Sequence, residues 1–318
     1  MTQEPPATGD TTRPGIGSAI RRVLVTGGNG LIGRAVVEHL GSKGLEVTVL
    51  SNSESGVPAD AASFIVGSVT DPGTVRKAVS GQDAVVHLAG LAGLDQGTPE
   101  DIYATNALGT FLIMEAAGRV GIPKVVYASS INAFGLPLNP DPVLPSRYPW
   151  DEDEPAVIAD AYSLSKQANE HAAIASARRH GTELTGLRFP LVRDIYEKDG
   201  TVFAEHIRRA MKEDPRRQAC EGWTYLDTRD AAASVEAALM RSTPPAPGIL
   251  VAAPRTYLRQ PTDEALNRYA PAVERQHIGG RDVPVSLRRA TEQLGFEAEH
   301  SLEHISENLL VDLDEVNP

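Results

Sequence analysis

Arg22-Val23-Leu24-Val25-Thr26-Gly27-Gly28-Asn29-Gly30-Leu31-Ile32-Gly33 decides the fold. Val23 to Val25 is an aliphatic run behind Arg21 and Arg22, the pattern of a short buried strand. Gly27, Gly30 and Gly33 follow at three-residue spacing, and Arg34 to Leu40 continues as a helix. Strand, glycine turn and helix in that order are what a dinucleotide-binding loop requires. One glycine permits the sharp turn, another lets backbone approach a pyrophosphate, and the last lets helix pack on strand. The helix N-terminus adds free N–H groups and a partial positive charge. Gly27, Asn29, Gly30, Leu31, Ile32 and Gly33 are therefore the expected phosphate cradle. A glycine-rich surface turn without a ligand is the competing reading of this stretch taken alone.

The alternation continues outward. Strands are expected at Leu45–Leu50, Ser63–Val66, Ala84–Leu88, Lys124–Ala128 and Glu183–Phe189. Helices are expected after Asp71-Pro72, over about 101–120 and over about 160–180. Strands alternating with helices specify an α/β fold, a Rossmann-type doubly wound parallel sheet. Beyond Pro190 the alternation weakens. A basic helix at Val202–Lys212, a short strand at Trp223–Leu226, a helix at Asp227–Arg241 and a strand at Gly248–Ala252 are expected there. The remainder, including Arg288–Leu294 and Glu303–Leu310, reads as helical. The division is a flexible tail (1–20), a dinucleotide-binding domain (21–189) and a smaller, mostly substrate-binding region (190–318) with a returning Rossmann segment near 224–252. The proline-rich stretch 133–155 is too long for an idle loop and reads as functional or mobile.

Acidic residues outnumber basic ones by 42 to 30, for a formal net charge of −12. That balance disfavours general nucleic-acid or anionic-membrane binding. Cys220 is the single cysteine, so no intrachain disulfide exists and a reducing, cytoplasmic setting is expected. No apolar run is long enough to span a bilayer. The eight histidines show no metal-binding spacing, so no metal is expected. Asp151-Glu152-Asp153-Glu154 reads as a solvated acidic loop, and Arg208-Arg209 and Arg216-Arg217 as solvated helix faces.

Chemistry concentrates at Tyr162-Ser163-Leu164-Ser165-Lys166. Tyr162 and Lys166, at i and i+4, share a helix face. A phenol ionises near 10, and a neighbouring ammonium is expected to lower that value. Such a pair takes or gives the proton of an alcohol while hydride moves to or from a cofactor. Tyr and Lys four apart also occur by chance. Ser129-Ser130 falls at the carboxyl end of the fifth strand, where open α/β sheets hold ligands, and Ser130 is placed to meet the reacting oxygen. Asn106 is a poor mid-helix choice and reads as holding a water or a backbone group. His87 reads as packing.

Together these residues resemble a known family, the extended short-chain dehydrogenase/reductases, also called the NAD-dependent epimerase/dehydratase family. The matching pieces are Thr26–Gly33, His87–Gly90, Asn106, Ser129-Ser130, Tyr162 with Lys166, Arg188-Phe189-Pro190, Tyr225–Asp230 and Leu294-Gly295-Phe296. The resemblance runs over about residues 21–310. It implies Tyr162 as acid/base, Lys166 as its tuner and ribose ligand, Ser130 as the substrate-oxygen partner and Asn106 as a support. It places Ser51, Asn52, Ser68, Val69, Leu88, Ala89, Gly90, Asn106, Tyr162, Lys166 and Pro190 with the glycine loop around NAD or NADP. Ser130, Ile131, Asn132 and Arg193 are the expected substrate contacts, Arg193 as an anion partner. It also implies a homodimer through helices 101–120 and 160–180, with Ala168, Ala172 and Ala175 on one face.

Departures from the family pattern matter. Ser51 replaces the acid that binds ribose hydroxyls, no arginine follows to hold a 2′-phosphate, and Ser68 replaces an Asp near the adenine. Pro190-Leu191-Val192-Arg193 replaces a segment typical of sugar-nucleotide members, and Ile131-Asn132 replaces the Asp-Glu pair of dehydratases. The expected activity is hydride transfer at a secondary alcohol carbon of a sugar-like or polyol substrate, with uronate dehydrogenases loosely similar. A nucleotide-sugar epimerase or dehydratase with tightly bound NAD and a non-catalytic dinucleotide sensor are the alternatives.

Overall fold

The computed structural model describes residues 20–242 and 246–316. The expected tail lies outside them but for Ile20, which is buried at the foot of the first strand. The described residues form eleven strands: β1 (Arg22–Thr26), β2 (Glu46–Ser51), β3 (Ser63–Val66), β4 (Ala84–His87), β5 (Lys124–Ser130), β6 (Arg147–Tyr148), β7 (Glu183–Phe189), β8 (Leu191–Arg193), β9 (Tyr225–Asp227), β10 (Ala246–Leu250) and β11 (Glu274–Arg275). Seven make one sheet in the order β10-β7-β5-β4-β1-β2-β3, and every pairing in it is parallel. The order reverses between β1 and β4, the switch point beside which such sheets bind ligands.

Strand alternation splits the sheet's side chains between two cores. Val23, Val25, Val47 and Val49 face α1 (Leu31–Ser42) and α8 (Thr228–Met240). Leu24, Leu50, Val85 and Val125 face the other way, toward α2 (Pro72–Val79), α4 (Gly109–Arg119) and α5 (Ala161–His180). A third core lies off the sheet. There Trp150, Tyr225, Trp223 and Tyr257 pack with α6 (Thr201–Glu213), α7 (Pro215–Cys220), α9 (Thr262–Tyr269) and α10 (Leu313–Val316). It joins Phe134, Tyr148 and Trp150, from the span expected to bind dinucleotide, to residues beyond 190.

Several expectations change in detail. Within the returning segment, only β10 joins the main sheet; β9 pairs with β8 in a separate two-stranded sheet. The helix expected over 101–120 is α3 (Pro99–Tyr103), a π-helical turn (Ala104–Leu108) and α4 in succession. Residues 290–294 form a π-helical turn ended by Gly295 at φ +59°, and 303–310 only short 3₁₀ turns. The proline-rich stretch is pinned rather than loose. Tyr148 and Trp150 are buried, β6 pairs with β11, and Glu154 accepts hydrogen bonds from the Ser146 N–H and hydroxyl. The acidic run is not a solvated loop either. Glu152 accepts from Leu250 N at 3.0 Å, and Glu152 and Glu154 are both buried. Backbone donors and Arg289, 3.4 Å from Glu152, supply partners that a sequence cannot display.

Candidate active site

A cavity of about 680 Å³ opens at the carboxyl ends of β1, β4, β5 and β7. Its floor is the glycine turn. Gly27 is left-handed at φ +71°, and a Cβ there would stand 2.8 Å from the Ala89 backbone. A Cβ on Gly33 would run into the Gly27 carbonyl, so both positions exclude any side chain. Gly30 opens α1 with no side-chain cap, which leaves the first-turn N–H groups of Leu31, Ile32 and Gly33 to whatever lies in the cavity. Bare N–H groups at a helix start, on a floor no side chain can fill, fit a dinucleotide pyrophosphate.

Of the residues expected to bind cofactor or substrate, Gly27, Gly30, Leu31, Ile32, Gly33, Leu88, Gly90, Ser130, Ile131, Asn132, Tyr162, Pro190 and Arg193 line this cavity. The others stand behind or beside it. Asn29 braces the turn: its amide donates to the Ser53 and Ser55 carbonyls and its carbonyl accepts from the Ser51 hydroxyl at 2.6 Å. Ser51 is thus committed to the loop, and Asn52 is exposed next to it. Ser68 bonds Thr70 at 2.7 Å, and Val69 is buried beneath Gly109. Ala89 packs against Gly27 and donates its N–H to Thr26.

Asn106 is fully buried in the π-helical turn. Its carbonyl accepts from Leu91 N at 2.8 Å, and its amide donates to Leu91 O at 3.0 Å and Ser165 Oγ at 3.1 Å. Its partners are a loop and α5 rather than the reacting pair. Asn106 thus holds the Leu91 backbone on both sides, the kind of partner expected of it as a support. The inserted residue of a π turn aims that amide, which an unbroken helix would not do. His87 is bonded on both ring nitrogens, to Thr26 at 2.7 Å and Thr110 at 2.9 Å, and burial lowers its pKa to about 3.

Asp160 caps α5 through the Ser163 N–H, and the helix then carries Tyr162 and Lys166. Lys166 Nζ donates to the Ala128 carbonyl at 3.0 Å and lies 5.5 Å from the centre of the Tyr162 ring. Burial lowers Lys166 to about 8, with the Glu170 carboxylate opposing the shift. Tyr162 moves against expectation. Burial raises its pKa, and the Ser130 hydroxyl opposes that rise by hydrogen bonding. In this state the desolvation of a buried phenolate outweighs the stabilising effect of its neighbours. Ser130 itself caps a 3₁₀ turn, accepting from Asn132 N at 3.1 Å.

Two features escaped the sequence reading. Behind Lys166, Glu170 accepts two bonds from Arg188 at 2.8 Å each and one from Ser129 at 2.7 Å, all three residues buried. A Cβ on Gly248 would collide with that pair, so the glycine makes room for it. The far wall of the cavity is one face of α7 and its two caps: Asp214, Arg217, Gln218 and Glu221. Their i, i+3, i+4, i+7 spacing was the available signal, hidden by the shortness of the helix. Arg217, expected on a solvated face, is part of this wall. Among the described residues no group of three or more His, Cys, Asp or Glu is placed to hold a metal, and no helix is long and apolar enough to cross a membrane.

A model of the NAD dependent epimerase/dehydratase family matches residues 23–246. The chain belongs to this family. Membership assigns NAD as the cofactor of the glycine cradle. A UDP-glucose 4-epimerase of Streptomyces lividans is 32% identical over 169 residues, 50% of this chain and 49% of its own length. A dTDP-glucose 4,6-dehydratase of Streptomyces niveus is 32% identical over 184 residues, 52% of each chain. The chain thus spans about half the length of these curated relatives. Its fold is that of a short-chain dehydrogenase/reductase superfamily protein of Agrobacterium tumefaciens solved with bound NAD. That match has a TM-score of 0.66 at 23% identity and covers 93% of this chain and 96% of the other. A UDP-glucose 4-epimerase of Thermotoga maritima matches with a TM-score of 0.63 at 23% identity, over 91% and 97%.

Proposed function

We propose that this chain is an NAD-dependent oxidoreductase or epimerase acting at a secondary alcohol carbon of a sugar-type substrate. The observation that carries the reading is the meeting of Ser130, Tyr162 and Pro190 in the same cavity as the glycine turn. Bound NAD supplies hydride acceptance and donation. The chain's residues do the rest. The Ser130 hydroxyl orients the substrate oxygen beside the phenol. Tyr162, its pKa raised by burial, holds its proton at neutral pH and is ready to donate it to a carbonyl oxygen. To accept a proton it needs more positive charge nearby, and Lys166 holds its ammonium beside the ring through the Ala128 carbonyl.

The named relatives favour a nucleotide sugar as the form of that substrate, and the 680 Å³ cavity leaves room beyond the reacting pair for such an extension. Epimerisation keeps NAD bound through the cycle, whereas net oxidation releases it as NADH. Assaying the purified protein for resident NAD, then for NAD consumption against UDP-glucose, dTDP-glucose and free sugars, separates the two. Tyr162→Phe should retain NAD and lose at least about a hundredfold in turnover. Near-normal turnover would sink the mechanism. A binding-only sensor has no use for an intact Ser130, Tyr162 and Lys166, and it would show NAD affinity with no hydride transfer across the whole panel.

We further propose a homodimer. Tyr103, Leu108, Phe111 and Leu164 are large, exposed apolar side chains on the α3–α4 and α5 helices, a surface that monomeric proteins normally cover.

A further inference from the structure

Glu221 stands out on the cavity's far wall. It is half-buried and lines the same cavity as Tyr162 and Ser130. Burial raises the pKa of its carboxyl, and its charge acts on the Tyr162 phenol across the cavity. Its neighbours on α7 each have an acceptor engaged within the protein. Asp214 accepts from Arg217 N at 2.9 Å, and the Gln218 carbonyl accepts from the Tyr257 hydroxyl at 2.9 Å. Among the described residues the Glu221 carboxylate has no hydrogen-bond or ion-pair partner; Arg217 attracts it only at longer range. Its backbone, by contrast, is held on both sides. Glu221 N donates to Arg217 O, and its carbonyl accepts from the Thr224 hydroxyl. The next two residues, Gly222 and the fully buried Trp223, are both left-handed, at φ +68° and +52°. For a tryptophan that conformation is strained, so the turn that sets Glu221 is imposed by its surroundings.

On the sugar-type reading above, we propose that Glu221 is the residue that selects the substrate's ring, accepting hydrogen bonds from hydroxyls of a neutral sugar and rejecting a uronate. A carboxylate with two free oxygens matches a pair of adjacent hydroxyls, each a donor. It also repels a second carboxylate in a cavity partly screened from water. The Gln218 amide, its oxygen already used by Tyr257, offers N–H donors beside it for hydroxyl oxygens.

The test uses NAD-loaded protein and two probe pairs differing only by a carboxylate: UDP-glucose with UDP-glucuronic acid, and D-glucose with D-glucuronate. Binding is measured by calorimetry for wild type, Glu221→Gln and Glu221→Asp. Wild type should bind the neutral member of a pair at least about tenfold more tightly. Glu221→Gln should bring that ratio close to one, and Glu221→Asp should restore most of it. NAD affinity and melting temperature, measured in parallel, show whether each variant is folded. A folded Glu221→Gln protein that keeps the wild-type ratio, or a wild type that prefers the uronate, overturns the role of Glu221 alone. Failure of all four probes to bind wild type overturns the sugar-type reading, and this inference with it.

Discussion

The buried pair behind Lys166 gives a demanding prediction. Arg188 and Glu170 share two 2.8 Å hydrogen bonds, and their side chains are each 6% exposed. Removing one partner from such a pair costs about 3–5 kcal/mol, because the survivor keeps its desolvation penalty without its counterion. The two halves should differ here. After Arg188→Met, Glu170 retains the Ser129 hydroxyl and the attraction of Lys166, so the loss falls near about 3 kcal/mol. After Glu170→Met, Arg188 keeps the Glu152 carbonyl at 3.2 Å, the face of Phe134 at 4.0 Å and a longer-range attraction from the Glu152 carboxylate. Lys166 loses its counter-charge as well, so the loss approaches about 5 kcal/mol. The double variant leaves no orphaned charge at this pair and should fall short of the sum by at least about 2 kcal/mol. Urea unfolding followed by circular dichroism reads this as midpoints lowered by about 1–2 M for the single variants. Glu170→Met should also push Lys166 below its value of about 8, because the one influence raising it is gone. Single losses under about 1 kcal/mol, or a strictly additive double variant, would refute the idea that this pair behaves as a coupled, desolvated unit.

Two further outcomes are expected. His87 is neutral in the fold down to about pH 3, whereas the unfolded chain takes up a proton below about 6.5. The unfolded state therefore binds more protons between those values, and stability falls by up to about 1.4 kcal/mol per unit as pH drops through that window. His87→Gln should flatten this slope relative to wild type, and parallel curves for the two proteins would show that His87 does not contribute it. If the apolar patch on α3–α4 and α5 is a dimer face, light scattering will give twice the chain mass for wild type and a monomer for Phe111→Glu. A wild-type monomer at working concentration excludes the dimer.

Much of the sheet was legible because its determinants are local. A strand buried on both faces reads as a continuous aliphatic run, and β1 and β4 lie within a residue of where such runs placed them. Tyr162 and Ser130 were legible for the same reason: an i, i+4 pair and a strand end are short-range patterns. What escaped depends on contacts far apart in the chain. Glu170 reads as an ordinary helical glutamate until Arg188 and Ser129 converge on it, and Glu152 as solvated until Leu250 donates to it. The direction of the Tyr162 shift was misjudged because a sequence displays the neighbouring ammonium but not the depth of burial that outweighs it. The wall formed by Asp214, Arg217, Gln218 and Glu221 sits on a six-residue helix whose period is too short to register.

That wall belongs to the third core, whereas the glycine turn stands on the sheet's own cores. The cavity therefore lies where the third core meets the sheet. The close neighbours of Gly27, Gly28, Gly30 and Gly33 are Leu88, Ala89, Val37, Val49 and the turn itself, none of them on α7. A substitution on the α7 face is therefore expected to alter which molecules are accepted before it alters the grip on the nucleotide.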